Sequence, residues 1–178
     1  MNLILLMAEG STEVTFLEVL LSKGLLRFSG SDLLMEKVFH ARQLDGEIIG
    51  YIQLLRNGDD VSIYRAGDKL SDSLRIPKSI LPGKISSKTD VSTTPEFEVL
   101  FLINEGLYQE YLKQKSNMKP SVFYKSKRRG YNKQASFVRD YFERMENEKI
   151  INLIKRYVHL HAKTHPKGKM TLLEIMDA

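Results

Sequence analysis

The 178-residue chain contains no cysteine and no glycine-rich phosphate loop, and its N-terminal apolar run is short. Without cysteine it can form neither a disulfide framework nor a thiolate zinc site, which is compatible with a reducing compartment. Residues 3–8 are too few to span a bilayer and lack the flanks of a signal peptide. We therefore expect a cytoplasmic protein with no membrane association. The sequence EGST has a single glycine, which disfavours a small-molecule phosphotransfer enzyme.

The composition and the order of the patterns indicate one α/β domain. The 42% of hydrophobic residues and 28% of charged residues are ordinary for a globular chain of this length. In the first half, strand patterns alternate with helix patterns, which favours a mostly parallel sheet with helices packed on its faces. The predicted strands are 2–8, 35–44 and 61–67, and the predicted helices between them are 11–26 and 46–56.

The second half of the chain is predicted to be helical. Residues 68–94 form a long loop with a short strand near Ile85, and an ordered loop of this length is usually functional or mobile. Four helical segments follow: 95–115, a short one near Ser121, 133–144 and 149–161. We expect an α/β core over residues 1–110 and a basic helical extension over 111–178 that packs on it.

Three acidic residues are candidates for a functional site. Glu9 follows the first predicted strand and Asp68 follows the third, and open α/β sheets bind ligands beyond the carboxyl ends of their strands. Glu98 lies in the apolar segment TPEFEVLFLI, where a buried carboxylate needs a cation or a hydrogen-bond donor. Carboxylates brought together in this way favour a hard divalent ion such as Mg²⁺ or Mn²⁺, which could assist phosphodiester cleavage.

A basic segment lies in the predicted extension. Residues 112–138 contain no acid and eight bases, and Phe123, Tyr124 and Tyr131 are interleaved with them. Such a segment is typical of a surface that pairs with phosphates and stacks on bases of DNA or RNA, although a solvated helical hairpin with core aromatics fits equally well. The predicted nucleic-acid contacts are Lys125, Lys127, Arg128, Arg129 and Lys133.

Two motifs resemble a known family. The strand followed by Glu9-Gly10-STE, with a third strand that ends in Asp68, resembles the Toprim fold of topoisomerases, primases and overcoming-lysogenization-defect nucleases. The segment TPEFE resembles the corresponding segment of RloB-like Toprim proteins, which accompany ATPases in bacterial defence loci. The resemblance covers residues 1–110 and implies a Toprim-like (Rossmann-like) fold, Mg²⁺ binding by Glu9 and Asp68, a role for Glu98, and an ATPase partner.

The chain departs from the family pattern after the third strand. The family has Asp-x-Asp there, whereas this chain has Leu70 at the second acidic position and Asp72 two residues later. Asp72 is therefore the candidate for the missing metal ligand, together with Glu9 and Asp68. The resemblance implies a metal-dependent nuclease or nuclease-related effector in bacterial or phage defence. The alternative is a non-catalytic module that binds nucleic acid or a partner ATPase on a degenerate Toprim scaffold.

Overall fold

The computed structural model describes residues 1–68, 70–132 and 134–177, which form an α/β structure around a parallel sheet. The five strands of this described part all run parallel, in the order β2-β1-β3-β4-β5. Their bounds are β1 Asn2–Ala8, β2 Phe39–His40, β3 Asp60–Gly67, β4 Ile85–Ser92 and β5 Met170–Thr171. The helices are α1 Ser11–Ser22, α2 Gly46–Gln53, α3 Val99–Asn104, α4 Tyr108–Leu112, α5 Pro120–Lys127, α6 Ala135–Glu143 and α7 Asn147–His161.

Two hydrophobic cores cover the two faces of the sheet, because successive residues of a strand point to opposite faces. In β1, Leu6 and Ala8 face the larger core, while Leu5 and Met7 face the smaller one. Helices α1, α3, α6 and α7 contribute buried residues to the larger core, and α2 and the β3–β4 loop contribute to the smaller core. The sheet is therefore covered by helices on one side and by one helix and a loop on the other.

The C-terminal segment takes part in the same fold. Leu172 and Ile175 are buried in the larger core, and β5 pairs with β4 through Val91 and Ser92. Residues 111–132 and 134–177 thus pack on the sheet and also add a strand to its edge. Among the described residues, no helix is long and apolar enough to cross a membrane.

The predicted α/β class with a parallel sheet is confirmed, whereas several element bounds are wrong. The strand predicted at 35–44 is limited to Phe39–His40, since short 3₁₀ turns occupy Gly30–Asp32 and Leu34–Glu36. The short strand expected near Ile85 is an eight-residue strand between β3 and β5. The helix predicted at 95–115 is divided into α3 and α4 at Gly106, whose φ of 73° is incompatible with a continuous helix.

Candidate functional site

The strand order creates a crevice between β1 and β3. The chain leaves β1 for β2 on one side and then returns to form β3 on the other side. The connections that follow β1 and β3 therefore run in opposite directions from the carboxyl ends of the two strands. Open α/β sheets bind ligands in the crevice between such connections. Glu9 directly follows β1, and Asp68 directly follows β3. The structure therefore places both predicted acids at the expected edge.

The carboxylate of Glu9 is held tightly beside this crevice. Its backbone N–H donates to the carbonyl of Ala66, and its Oε1 lies 3.0 Å from Nη1 of Arg42. Its Oε2 is buried and has no hydrogen-bond partner in the part of the chain that the structure describes. A Cβ at position 67 would lie only 3.0 Å from that oxygen, so Gly67 allows the close approach. A buried carboxylate oxygen without a donor is costly unless a cation or water meets it.

An acidic cleft of about 340 Å³ lies on the helical side of the crevice. Its walls come from the start of α1, from the end of β3 and from the segment before α3. The acids that line it are Glu13, Asp68, Glu96 and Glu98. Lys119 and Ser121 close the opposite side. We call this the acidic cleft.

The carboxylates around the acidic cleft influence one another. Burial raises the pKa of the Glu13 carboxyl, although a hydrogen bond to its own backbone N–H acts in the opposite direction. The charges of Asp68 and Glu98, and to a smaller extent that of Glu9, raise this pKa further. A group of like charges in a partly buried site attracts a proton or a cation. The grouped carboxylates therefore favour a proton or a cation in the acidic cleft, which Lys119 also lines.

Hydrogen bonds fix the chain segments that carry Asp68 and Glu98. The hydroxyl of Thr94 donates to the backbone carbonyl of Asp68 at 2.8 Å. The Tyr131 hydroxyl donates to Oε1 of Glu98 at 3.1 Å, and Glu98 is only 5% exposed. Burial, with the charge of Glu98, raises the pKa of Tyr131, so this phenol stays protonated and keeps donating. Glu98 is thus a fixed wall of the acidic cleft rather than a mobile side chain.

Asp72 lies on the other side of Glu9 and is engaged by a cation. Arg42 contacts Asp72 Oδ1 through Nη2 at 2.9 Å, and Gln43 donates to Oδ2 at 2.7 Å. These hydrogen bonds, with Arg42 first, hold the pKa of Asp72 well below its usual range. Arg42 therefore bridges Glu9 and Asp72, and the role of Asp72 as a metal ligand stays a prediction.

The side chains of the site offer the oxygen donors that a hard cation prefers, although they do not surround a single position. Within residues 1–68, 70–132 and 134–177, no three His, Cys, Asp or Glu side chains are grouped closely enough to hold a metal ion. The oxygen-only donor set and the buried Oε2 of Glu9 suit Mg²⁺ or Mn²⁺, which bind through one or two carboxylates and otherwise keep water or substrate phosphates. Binding would require no complete protein cage.

The basic segment lies next to the acidic cleft, and its aromatic residues are buried. Phe123, Tyr124 and Tyr131 are 1%, 0% and 5% exposed, so their proposed role in stacking on bases is wrong and they belong to the larger core. Tyr124 and Tyr131 pack against Phe101, and Phe123 packs against Tyr111. This outcome agrees with the core alternative for the aromatics.

The predicted basic contacts remain at the surface. Lys125, Lys127, Arg128 and Arg129 are exposed, and Lys127 pairs with Glu110. Lys133 lies outside the described residues. Ser121 lines both the acidic cleft and a neighbouring groove of about 530 Å³ that includes Lys125 and Asn132. The exposed face of α5 therefore leads directly to the carboxylates.

Two arginines of the site were not predicted from the sequence. Arg42 gives no pattern signal because it lies in an irregular segment after β2. Arg65 is 0% exposed and its guanidinium makes two bonds to Asp90, at 2.8 and 3.0 Å. It also donates to the backbone carbonyls of Asp72 and Arg42, so it positions both residues beside Glu9. For Arg65, the one signal available in the sequence was a charged residue within the alternating pattern of β3.

Comparisons of the chain with protein-family models, with curated proteins and with solved structures found no match.

Proposed function

We propose that this protein is a Toprim-like, divalent-metal-dependent nuclease, or a nuclease-related effector, that acts on DNA or RNA. The observation that carries the proposal is the position of the acidic cleft. It opens at the β1–β3 crevice, is lined by several carboxylates, and adjoins a helix whose exposed bases can bind phosphates. The proposal also includes a role in bacterial or phage defence and an ATPase partner. These two points are supported by the resemblance of the motifs alone.

Glu9 and Asp68 would hold Mg²⁺ or Mn²⁺ together with water and substrate phosphates, while Glu98 lines the cleft beside Asp68. When bound, such an ion supplies polarisation of the phosphate and a lower pKa for an attacking water. The chain's own residues prepare this site: Gly67 leaves room for the Glu9 carboxylate, and Tyr131 fixes Glu98. The raised pKa of Glu13 makes this carboxyl a candidate to hold a proton near the reacting phosphate.

The exposed face of α5 would guide the substrate backbone. Lys119 lies on the rim of the acidic cleft, and Lys125 lies in the adjoining groove. Lys125 on α5, and Arg128 and Arg129 directly after it, are exposed and would pair with phosphates of the backbone. Without these bases, the acidic cleft would repel a polyanion, so the two surfaces are needed together.

The experiment is a cleavage assay with plasmid, linear duplex, single-stranded DNA and RNA, in the presence of Mg²⁺, Mn²⁺ or chelator. We expect cleavage that depends on metal. Substitutions of residues that only support metal ligands typically reduce activity roughly 10–100-fold, and Glu9→Gln and Asp68→Asn should each reduce the rate by more than that. Glu148→Gln, an exposed residue of α7, is the matched control and should retain full activity. Metal-dependent cleavage that is unchanged in both site variants would refute the proposal.

The second candidate is a non-catalytic module that binds nucleic acid or a partner ATPase. One observation favours it: Arg42 already occupies Oε1 of Glu9, where an ion would otherwise bind. This candidate predicts binding that weakens with salt and is abolished by charge reversal at Arg128 and Arg129, while Glu9→Gln has no effect. Nucleic-acid binding measured for Glu9→Gln and for the Arg128 and Arg129 variant, beside the cleavage assay, therefore distinguishes the two functions.

A further inference from the structure

A second cavity, of about 470 Å³, lies away from the acidic cleft. Three parts of the chain line it: the β3–β4 loop with Ser73 and Leu74, the middle of β4 with Lys88 and Thr89, and the start of β5 with Lys169 just before it and Met170 within it. Among the described residues, none lines both this cavity and the acidic cleft. We call it the lysine pocket.

The lysine pocket brings together two ammonium groups from distant positions in the sequence. Lys169 donates to the carbonyl of Leu70, and Lys88 lies 3.5 Å from the carbonyl of Leu74. An ammonium group has three N–H donors, so one bond to a carbonyl leaves capacity for an anion. The turn that carries Lys169 is itself fixed, because His165 Nε2 lies 2.8 Å from the Lys169 carbonyl.

The only acid that lines the pocket, among the residues described, is already neutralised. Both carboxylate oxygens of Asp90 accept bonds from the buried Arg65, at 2.8 and 3.0 Å. The lysine charges are therefore not cancelled within the pocket, and its potential is positive. The hydroxyls of Ser73 and Thr89 add uncharged donors for an oxyanion.

The pocket also has an apolar part. Leu74 and Met170 contribute to its wall, and Leu74 is 5% exposed. A volume of this size lies within the roughly 300–1,000 Å³ range of small-molecule sites. A ligand that uses all the lining groups would combine a phosphate with a weakly polar part, as a nucleotide does.

We propose that the lysine pocket binds a mononucleotide, with Lys88 and Lys169 on its phosphates and Leu74 and Met170 against its nucleoside. The β3–β4 loop and the turn before β5 would then be joined through the ligand as well as through their own hydrogen bonds. This inference goes beyond the proposed function and does not depend on it, because the acidic cleft takes no part in the binding.

The test is isothermal titration calorimetry of the full chain with ATP, ADP, AMP and pyrophosphate, in a buffer with chelator so that metal at the acidic cleft makes no contribution. We expect at least one nucleotide to bind more tightly than pyrophosphate. Lys169→Gln and Lys88→Gln should each weaken that binding about tenfold or more, as the loss of a charged hydrogen bond requires. Lys167→Gln, on the same turn but outside the pocket, should leave it unchanged.

Two further variants guard against misfolding. Lys169→Arg and Lys88→Arg retain the charge and should bind within a few-fold of the wild type, and thermal unfolding should show that all variants are folded. No binding of any nucleotide, binding that both glutamine variants retain, or pyrophosphate binding as tight as that of every nucleotide would each overturn the proposal. Failure of this test leaves the cleavage assay at the acidic cleft unaffected, and the reverse also holds.

Discussion

Replacing Arg65 with methionine should destabilise the protein strongly, because this side chain is completely buried and charged. Its guanidinium makes two bonds to Asp90, one of 2.7 Å to the carbonyl of Asp72 and one of 3.3 Å to that of Arg42. Methionine fills much of the volume but leaves the Asp90 carboxylate and two carbonyls without their donor. Removing one partner of a buried pair typically costs about 3–5 kcal/mol.

The partial exposure of Asp90 sets the expected size of the effect. Its side chain is 26% exposed and can recover some hydration in the variant, so we expect the lower end of the range, about 3 kcal/mol in the free energy of unfolding. For a chain of this length this corresponds to a fall in Tm of roughly 6–12 °C.

Urea denaturation followed by circular dichroism measures the free energy, and thermal unfolding measures Tm. The double variant Arg65→Met/Asp90→Leu removes both charges and should recover much of the lost stability. A free energy of unfolding for Arg65→Met within about 0.5 kcal/mol of the wild type, the range of ordinary surface substitutions, would show that the buried ion pair contributes little.

Three further predictions concern the carboxylates and the bases. Glu13 binds its proton more tightly in the folded state than in the unfolded state, so its ionisation destabilises the fold as the pH rises above the ordinary carboxyl pKa of 4.5. Glu13→Gln should therefore be more stable than the wild type at pH 7 and nearly equal to it below pH 4.5, as measured by denaturation across this range. Arg42→Gln removes the cation that contacts Glu9 and should tighten Mn²⁺ binding several-fold in a calorimetric titration, whereas unchanged or weaker binding would contradict competition between Arg42 and metal. Reversing the charge of Arg128 and Arg129 together should weaken binding of a labelled oligonucleotide. The slope of log affinity against log salt concentration should fall by the amount expected for about two phosphate contacts. An unchanged slope would mean that the nucleic acid binds elsewhere.

The elements that could be predicted are those whose hydrophobic residues follow a clear pattern along the sequence. The apolar run of β1 and the alternation of β3 each indicate a strand whose end is visible in the sequence, so Glu9 and Asp68 could be assigned to the carboxyl edge of the sheet. Strand β4 was underestimated because its sequence, ISSKTDVS, is polar and only its last two residues are buried. Its position between β3 and β5, rather than its propensity, makes it a strand.

The interior of the site was less predictable than its location. A pattern of charge places Lys125 and its neighbours at a surface, but it does not distinguish aromatics that stack on bases from aromatics that fill a core, as Phe123 and Tyr124 do. Likewise, no local rule reveals that Arg42 bridges Glu9 and Asp72, because the partners meet only after β1, β2 and the β3–β4 loop are in place. Long-range pairing of charges is therefore the part that required the structure.

The β3–β4 loop is held in place through its own main chain. The carbonyl oxygens of Leu70, Asp72, Ser73 and Leu74 contact side chains of Lys169, Arg65, Gln43 and Lys88, in that order. Every residue type presents the same carbonyl group, so most substitutions within the loop preserve these bonds. Substitutions within the loop should therefore disturb its path less than substitutions of the four donors, which lie outside it.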